Sequence, residues 1–309
     1  MERIGIVGAG LIGRAWAIVF ARAGFEVAVW DALPAATQAA SGFIAERLPE
    51  LRAAGLLKDA PEAVLARITP VDTLEAALDG VVHVQESGPE RVPDKQALFA
   101  AMDRIAAPEV VLASSTSGIP ASAFTEALAG RGRMLVAHPV NPPYLVPVVE
   151  LCPAPWTDPA VVLRTRALME RAGQVPATVN REVTGFVLNR LQIALVSEAM
   201  RLVQDGVISA ADVDATVKHG LGLRWSFMGP LETIDLNAPG GLADYCTRYG
   251  GLYAQVQSET APLAMTEELV EQLHAARRAV LPQAEQAARQ EWRDRRLMGV
   301  LAHKAAQQD

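Results

Sequence analysis

The chain of 309 residues is half hydrophobic and one-fifth charged, and its net charge at pH 7 is −7. This length suggests about two domains with a sizeable core, and the acidic balance argues against a nucleic-acid or anionic-membrane partner. No apolar run approaches the length of a membrane span. The chain begins with a strand pattern rather than a signal peptide, and Cys152 and Cys246 form no metal-binding spacing. We therefore expect a cytoplasmic protein with reduced thiols and no metal ion.

A glycine-rich motif follows the first predicted strand. The apolar run before Gly8 predicts the strand, the glycines predict a tight turn, and residues 15–23 predict an amphipathic helix that ends before Gly24. In this order the glycines suit a dinucleotide pyrophosphate, which would rest on the N-terminus of the helix. We assign the cofactor-binding turn to Gly8, Gly10, Leu11, Ile12 and Gly13.

An acidic residue ends the second predicted strand, residues 25–30. Asp31 lies eighteen residues after Gly13, near the spacing expected for a carboxylate that hydrogen-bonds an adenosine ribose. A carboxylate at this place would repel the 2′-phosphate of NADP. The sequence therefore predicts NAD as the cofactor.

Strands and helices continue to alternate through the first half of the chain. A helical span at 35–67 is broken near Gly55 and Pro61. Further strands are predicted at 81–86, 110–113, 134–137, 146–151 and 175–179, with helices at 94–105 and 159–172. This alternation predicts an α/β fold of the Rossmann type, a doubly wound and mostly parallel sheet. Ligands would bind outside the carboxyl ends of its strands.

The pattern becomes helical beyond residue 183. Residues 186–203 carry apolar side chains at helical spacing, Ser209 and Asp212 form a capping-box pattern, and later segments up to residue 304 also read as helices. We predict an NAD-binding domain at 1–183 and an all-helical C-terminal domain at 184–309.

Two titratable residues are candidates for proton transfer. His138 follows the strand at 134–137, and Glu150 lies in the next apolar run. A carboxylate that bonds one ring nitrogen would fix the tautomer of the histidine and raise its basicity. The alternative is a structural histidine whose hydrogen bonds are satisfied in the core.

Four further polar residues have both a functional and a structural interpretation. Ser117 could bond the reacting oxygen or cap a helix, and Asn189 could bond the same oxygen or be a polar residue inside a helix. Glu90 and Lys95 could contact the cofactor or belong to a solvated charged face.

In combination these residues resemble the 3-hydroxyacyl-CoA dehydrogenase superfamily. The resemblance rests on Ser117, His138, Glu150 and the run GFVLNR at 185–190. The runs AHPVNPPY at 137–144 and GLGLRWSFMGPLET at 220–233 resemble its lambda-crystallin / L-gulonate 3-dehydrogenase branch. The resemblance extends over nearly the whole chain, and it implies a Rossmann-type domain, a helical dimerisation domain in a homodimer, and NAD-dependent oxidation of a 3-hydroxyl group.

The resemblance also implies a role for each candidate. His138 would be the catalytic base and Glu150 its orienting partner, while Ser117 and Asn189 would hydrogen-bond the substrate oxygen. The residues that would contact NAD are Glu90, Lys95 and Asp31.

The chain departs from the acyl-CoA members of the superfamily. Their lysine-rich hairpin after the second strand is here charge-balanced, with one lysine, Lys58. Ser115 stands where they have Asn, and Gly118 where they have Ser. A CoA 3′-phosphate would require cations, so these departures favour a substrate without CoA.

The substrate we expect is a small 3-hydroxy acid such as L-gulonate, whose carboxylate Arg224 could bind bidentately. A salt bridge is the alternative for Arg224. Short-chain 3-hydroxyacyl-CoA, carnitine and 3-hydroxybutyrate are alternative substrates, and a non-catalytic, crystallin-like NAD-binding protein is an alternative of a different class.

Overall fold

The computed structural model describes residues 1–307 of the chain, and eight strands in that part form one sheet. The strands are β1 Arg3–Val7, β2 Glu26–Trp30, β3 Ile68–Pro70, β4 Val81–Glu86, β5 Val111–Ser114, β6 Met134–Pro139, β7 Val148–Pro153 and β8 Val175–Thr178. The helices are α1 Leu11–Arg22, α2 Pro34–Ala53, α3 Pro61–Leu65, α4 Leu74–Leu78, α5 Val92–Ile105, α6 Ser122–Thr125, α7 Pro159–Arg171, α8 Leu188–Gln204, α9 Ala210–Thr216, α10 Gly222–Trp225, α11 Pro230–Asp235, α12 Gly241–Glu259, α13 Glu267–Val280 and α14 Gln286–Ala305.

The strand order of the sheet is β3-β2-β1-β4-β5-β6-β7-β8. Every neighbouring pair is parallel except β6 and β7, which are antiparallel. The order reverses between β1 and β4, and such a reversal opens a ligand crevice at the carboxyl ends of the strands. The predicted doubly wound, mostly parallel sheet of the Rossmann type is confirmed.

Alternation along each strand places apolar side chains on both faces of the sheet. On β5, Val111 and Ala113 belong to one apolar cluster with α1, α2 and α7, whereas Leu112 belongs to a second cluster with α5 and α6. A strand that is buried on both faces reads as a continuous apolar run in the sequence. This double burial explains why the runs at 110–113 and 134–137 were readable as strands.

The third strand is absent from the sequence-based prediction. Its three residues carry too short a pattern for period-2 alternation to be recognised, and it includes Pro70. It pairs only with β2, at one edge of the sheet. A proline is tolerated at an edge because no further strand needs its missing N–H.

The chain divides into two compact units. One comprises residues 1–190 and the chain from Arg293 onward, and the other is Leu191–Trp292. The second unit is helical throughout, as predicted, and Ser209 caps α9 by accepting a hydrogen bond from the Asp212 amide. In the first unit, Met298 on α14 belongs to the apolar cluster of α1 and α2. The boundary at 183/184 stays a prediction.

No helix within residues 1–307 is long and apolar enough to cross a membrane. In the same part of the chain no group of three or more histidine, cysteine or acidic side chains is placed to hold a metal ion. Cys152 and Cys246 are both free thiols, the first buried and the second exposed.

Two glycines of the turn, Gly8 and Gly13, leave no room for a side chain, and the overlap is most severe at Gly13. A Cβ on Gly13 would lie 1.7 Å from the carbonyl oxygen of Gly8, whereas a Cβ on Gly10 would meet no atom within 4 Å. We expect Gly13→Ala to lower the free energy of unfolding by about 3 kcal/mol, because backbone must move to relieve the overlap. Gly10→Ala, the matched control, should unfold like the wild type. Thermal unfolding of the cofactor-free protein measures both, and equal melting temperatures for the two variants would contradict this account.

Candidate active site

The start of α1 is suited to a pyrophosphate. Gly8 has φ +99° and donates its N–H to the Trp30 carbonyl at 2.8 Å, which fixes the turn at the carboxyl end of β1. No side chain caps α1 at Gly10, and the space beside Gly10 is open. The first-turn amides, including those of Leu11 and Ile12, can therefore face an anion at the positive end of the helix.

Asp31 ties the glycine turn to the second strand. Its Oδ2 accepts the Ala9 N–H at 2.7 Å, and its Oδ1 accepts the Leu33 N–H at 2.8 Å. A carboxylate oxygen accepts about two hydrogen bonds, so each oxygen keeps a lone pair for a ribose hydroxyl. This geometry fits a dinucleotide whose ribose lies beside the turn. The ribose-binding role of Asp31 stays a prediction.

His138 and Glu150 are direct partners across the antiparallel pair β6 and β7. His138 Nδ1 lies 2.8 Å from Glu150 Oε2, and both residues are buried. An ionised carboxylate can only accept, so Nδ1 must carry the proton. In the neutral imidazole the other ring nitrogen, Nε2, then carries the lone pair that can act as a base.

The second carboxylate oxygen of Glu150 accepts hydrogen bonds from the backbone at the start of α8. Glu150 Oε1 accepts the Val187 N–H at 2.8 Å and the Leu188 N–H at 2.9 Å. Burial pushes the pKa of Glu150 upward, but the hydrogen bonds from His138 and from these two amides outweigh burial and hold the pKa below its usual value. The carboxylate is therefore charged at neutral pH.

The turn before α8 has an unusual backbone. Gly185 has φ +75° and Phe186 has φ +51°, and Phe186 is the one non-glycine residue of the described chain with a positive φ. A left-handed conformation costs a residue with a side chain about 1–2 kcal/mol. Phe186 is nevertheless fully buried, with its ring centroid 5.5 Å from that of His138.

The sequence uses both residues of this turn only within the run at 185–190 that carries the family resemblance, and it places Phe186 at the start of the predicted helix, which begins at Leu188 instead. The available signal was Gly185 placed just before a predicted helix, which marks a turn but not its target.

Ser117, Asn189 and Glu90 are brought together by hydrogen bonds. Asn189 Nδ2 donates to the Ser117 carbonyl at 2.7 Å. Glu90 Oε1 accepts the Ser117 N–H at 2.9 Å and the Gly118 N–H at 3.3 Å, and it also accepts the Thr116 hydroxyl. The candidate oxygen-binding residues therefore meet where the first turn of α8 contacts the loop after β5.

Lys95 is placed differently from Glu90. Its ammonium lies 3.0 and 2.9 Å from the two carboxylate oxygens of Glu86, and the lysine side chain is 1% exposed. Lys95 is therefore not part of a solvated charged face. Its ammonium is buried, and the ion pair with Glu86 offsets the cost of burying the charge. Glu90, by contrast, is exposed. Cofactor contact by either residue stays a prediction.

Ser115 is the centre of a buried hydrogen-bond network that the sequence did not indicate. Its Oγ receives the Trp16 indole N–H at 3.1 Å and the Gln85 side-chain amide at 2.7 Å, and it lies 3.0 Å from Ser87 Oγ. The Ser115 hydroxyl is therefore engaged with other side chains of the protein.

Arg224 lies in α10 within the helical unit. Its charge acts on Tyr245, whose pKa is raised chiefly by the hydrogen bond with Tyr253 and is partly lowered again by the guanidinium. Substrate binding by Arg224 stays a prediction.

A glycine turn at the sheet's switch point, an acid after the second strand and a buried histidine–carboxylate pair define a Rossmann-type dehydrogenase. Two family models match the chain: the NAD-binding domain of 3-hydroxyacyl-CoA dehydrogenase over residues 3–183 and its C-terminal domain over residues 185–282. The chain therefore belongs to the 3-hydroxyacyl-CoA dehydrogenase family, and it is an NAD-dependent dehydrogenase that acts on a hydroxyl group.

The chain is similar to known proteins over most of its length or all of it. The lambda-crystallin homolog of Bos taurus is 44% identical, over 98% of this chain and 97% of that protein. The L-carnitine dehydrogenase of Streptomyces griseus is 39% identical, over 81% of this chain and 74% of its own. Among solved structures, a 5-formyl-3-hydroxy-2-methylpyridine 4-carboxylic acid 5-dehydrogenase is similar with a TM-score of 0.87 at 26% identity, and the match covers 100% of both chains.

The charge of Glu150 should appear in the pH dependence of stability. A lowered pKa contributes stability that is present above the unfolded value and is lost as the pH falls through the folded value. We expect Glu150→Gln to cost about 2 kcal/mol of unfolding free energy near neutral pH, because charge-assisted hydrogen bonds are lost. The difference from the wild type should shrink below pH 4.5, the ordinary value of this carboxyl. Denaturant unfolding across pH measures it, and a pH-independent difference would contradict the assignment of charge.

Proposed function

We propose that the protein oxidises the 3-hydroxyl group of a small hydroxy acid with NAD, and that L-gulonate, converted to 3-dehydro-L-gulonate, is the substrate. The observation that carries the proposal is the buried pair of His138 and Glu150, in which Nδ1 lies 2.8 Å from a carboxylate oxygen. Such a pair supplies the base that alcohol oxidation requires.

Each residue of the pair has a defined task in the proposed reaction. His138 Nε2 takes the proton of the substrate hydroxyl while a hydride leaves the carbon that bears this hydroxyl. Glu150 stabilises the imidazolium that forms. Ser117 and Asn189 hold the reacting oxygen. Bound NAD supplies the hydride acceptor, and its binding residues are Gly8, Gly10, Leu11, Ile12, Gly13, Asp31, Glu90 and Lys95.

The region after β2 favours a free acid over a CoA thioester. Its arginines are largely engaged, since Arg47 pairs with Glu50 and Arg67 pairs with Asp59. Lys58 is exposed and is the one lysine in this region. Few cations are therefore left for a CoA phosphate.

A second candidate substrate is L-carnitine or another short 3-hydroxy acid. It is favoured by the 39% identity to an L-carnitine dehydrogenase. The remaining alternatives are a short-chain 3-hydroxyacyl-CoA and, in a different class, a non-catalytic crystallin-like role.

We further propose that the helical unit is covered by a second copy of the chain, giving a homodimer. Large apolar side chains stand exposed on this unit, among them Phe227, Leu231, Leu236 and Leu252, each more than half accessible. Exposed apolar surface of this extent is typical of an obligate interface. The proposal also places the enzyme in the cytoplasm, in keeping with two free thiols.

A substrate panel tests the proposed reaction. With NAD at alkaline pH, the wild type should form NADH faster with L-gulonate than with L-carnitine, 3-hydroxybutyrate or 3-hydroxybutyryl-CoA. His138→Gln should lower kcat by about 10²–10⁴-fold, as expected for loss of a general base, while the Kd for NADH stays unchanged. Preference for another member of the panel would replace L-gulonate. NADH binding without oxidation of any hydroxy acid would support the non-catalytic alternative.

Arg224 has its own kinetic test. Arg224→Ala should raise KM about 10–100-fold for a carboxylate substrate, because a bidentate guanidinium–carboxylate contact is lost. An uncharged analogue of the same polyol should be nearly unaffected. Arg248→Ala, at another arginine of the helical unit, is the control. Equal effects on charged and uncharged substrates would remove Arg224 from the site.

A further inference from the structure

A remote carboxylate takes the place of a helix cap at the start of α8. The first amides of a helix have no partner within the helix, and a serine, threonine, aspartate or asparagine at the N-cap usually satisfies one of them. Here the Val187 and Leu188 amides both reach Glu150, which lies on β7. The group that orients His138 therefore also fixes where this helix begins.

The residue just before these amides, Phe186, has a positive φ that is unfavourable for a bulky side chain. Glycine or asparagine adopts a positive φ with less strain than phenylalanine does. At φ +51° the chain instead has Phe186, with none of its surface exposed and its ring against the His138 imidazole. The aromatic side chain must therefore provide an advantage that offsets the strained backbone.

We propose that Phe186 is a positioning residue for the His138–Glu150 pair. Its ring holds the imidazole against Glu150 Oε2, and its left-handed backbone directs the next two amides at Glu150 Oε1. One residue thus determines the surroundings of both members of the pair. The catalytic part of this inference rests on the proposed function of His138 as the base. The positioning of His138 and Glu150 by Phe186 does not depend on that function.

Two consequences separate this role from ordinary core packing. Without the ring, the His138 imidazole can rotate, and water can reach its Nδ1 proton. Nε2 is then in the productive orientation in a smaller fraction of the protein molecules. We expect cofactor binding at the glycine turn and Asp31 to be retained, because the ring of Phe186 packs on His138 and the two amides after Phe186 bond Glu150. A residue that only fills the core would lower stability without these selective effects.

The test compares Phe186→Leu with Phe99→Leu. Both phenylalanines are fully buried, and Phe99 packs on Phe124 in the cluster of α5 and α6. We expect Phe186→Leu to lower kcat about 10–100-fold, a loss typical of misplaced catalytic groups, with KM for NAD changed less than about twofold. In ¹⁵N-histidine spectra of the resting protein, the Nδ1 proton of His138 should be protected from solvent in the wild type and in Phe99→Leu, and unprotected in Phe186→Leu. Equal kcat and equal protection in the two variants would overturn the proposal.

A measurement on the wild type remains if Phe186→Leu does not fold. The Val187 and Leu188 amides should exchange with solvent more slowly than the Ala35 amide in the first turn of α2, a helix that has no side-chain cap. Equally rapid exchange would overturn the proposal. Both protection experiments omit substrate, so protected sites in a protein that oxidises no hydroxy acid would reject the proposed function alone.

Discussion

The geometry around His138 depends on how one carboxylate divides its two oxygens. Glu150 Oε2 receives the imidazole proton, and Oε1 receives the two amides that begin α8. These three donors overcome the cost of burying the charge, so the acid remains ionised within the sheet. A protonated or displaced Glu150 would therefore affect the basicity of the histidine and the entry into the helical unit at the same time.

The Rossmann fold was predictable because its signals are local. The glycine turn, the strand before it and Asp31 lie within about thirty residues, and strands such as β5 are buried on both faces and read as apolar runs. His138 and Glu150 could be proposed from their places after and within such runs. Their direct pairing is a matter of antiparallel register between β6 and β7, which apolar runs alone do not specify.

Long-range partners account for what the sequence left open. Lys95 could be read from the sequence as part of a solvated charged face, but the fold buries its ammonium against Glu86. The Ser115 network joins side chains from three separate segments. The positive φ of Phe186 could not be predicted from the residue type, because bulky residues rarely adopt it. Such features arise from tertiary contacts that no periodicity encodes.

The path of the chain has a consequence for how the protein responds to cleavage. The last helix, α14, returns Met298 to the apolar cluster of α1 and α2, and Asp294 accepts a hydrogen bond from the Tyr144 hydroxyl. The helical unit is thus an excursion between two segments that both belong to the nucleotide-binding unit. One nick within the excursion leaves two fragments that still share a common core, so releasing the helical unit requires two cuts.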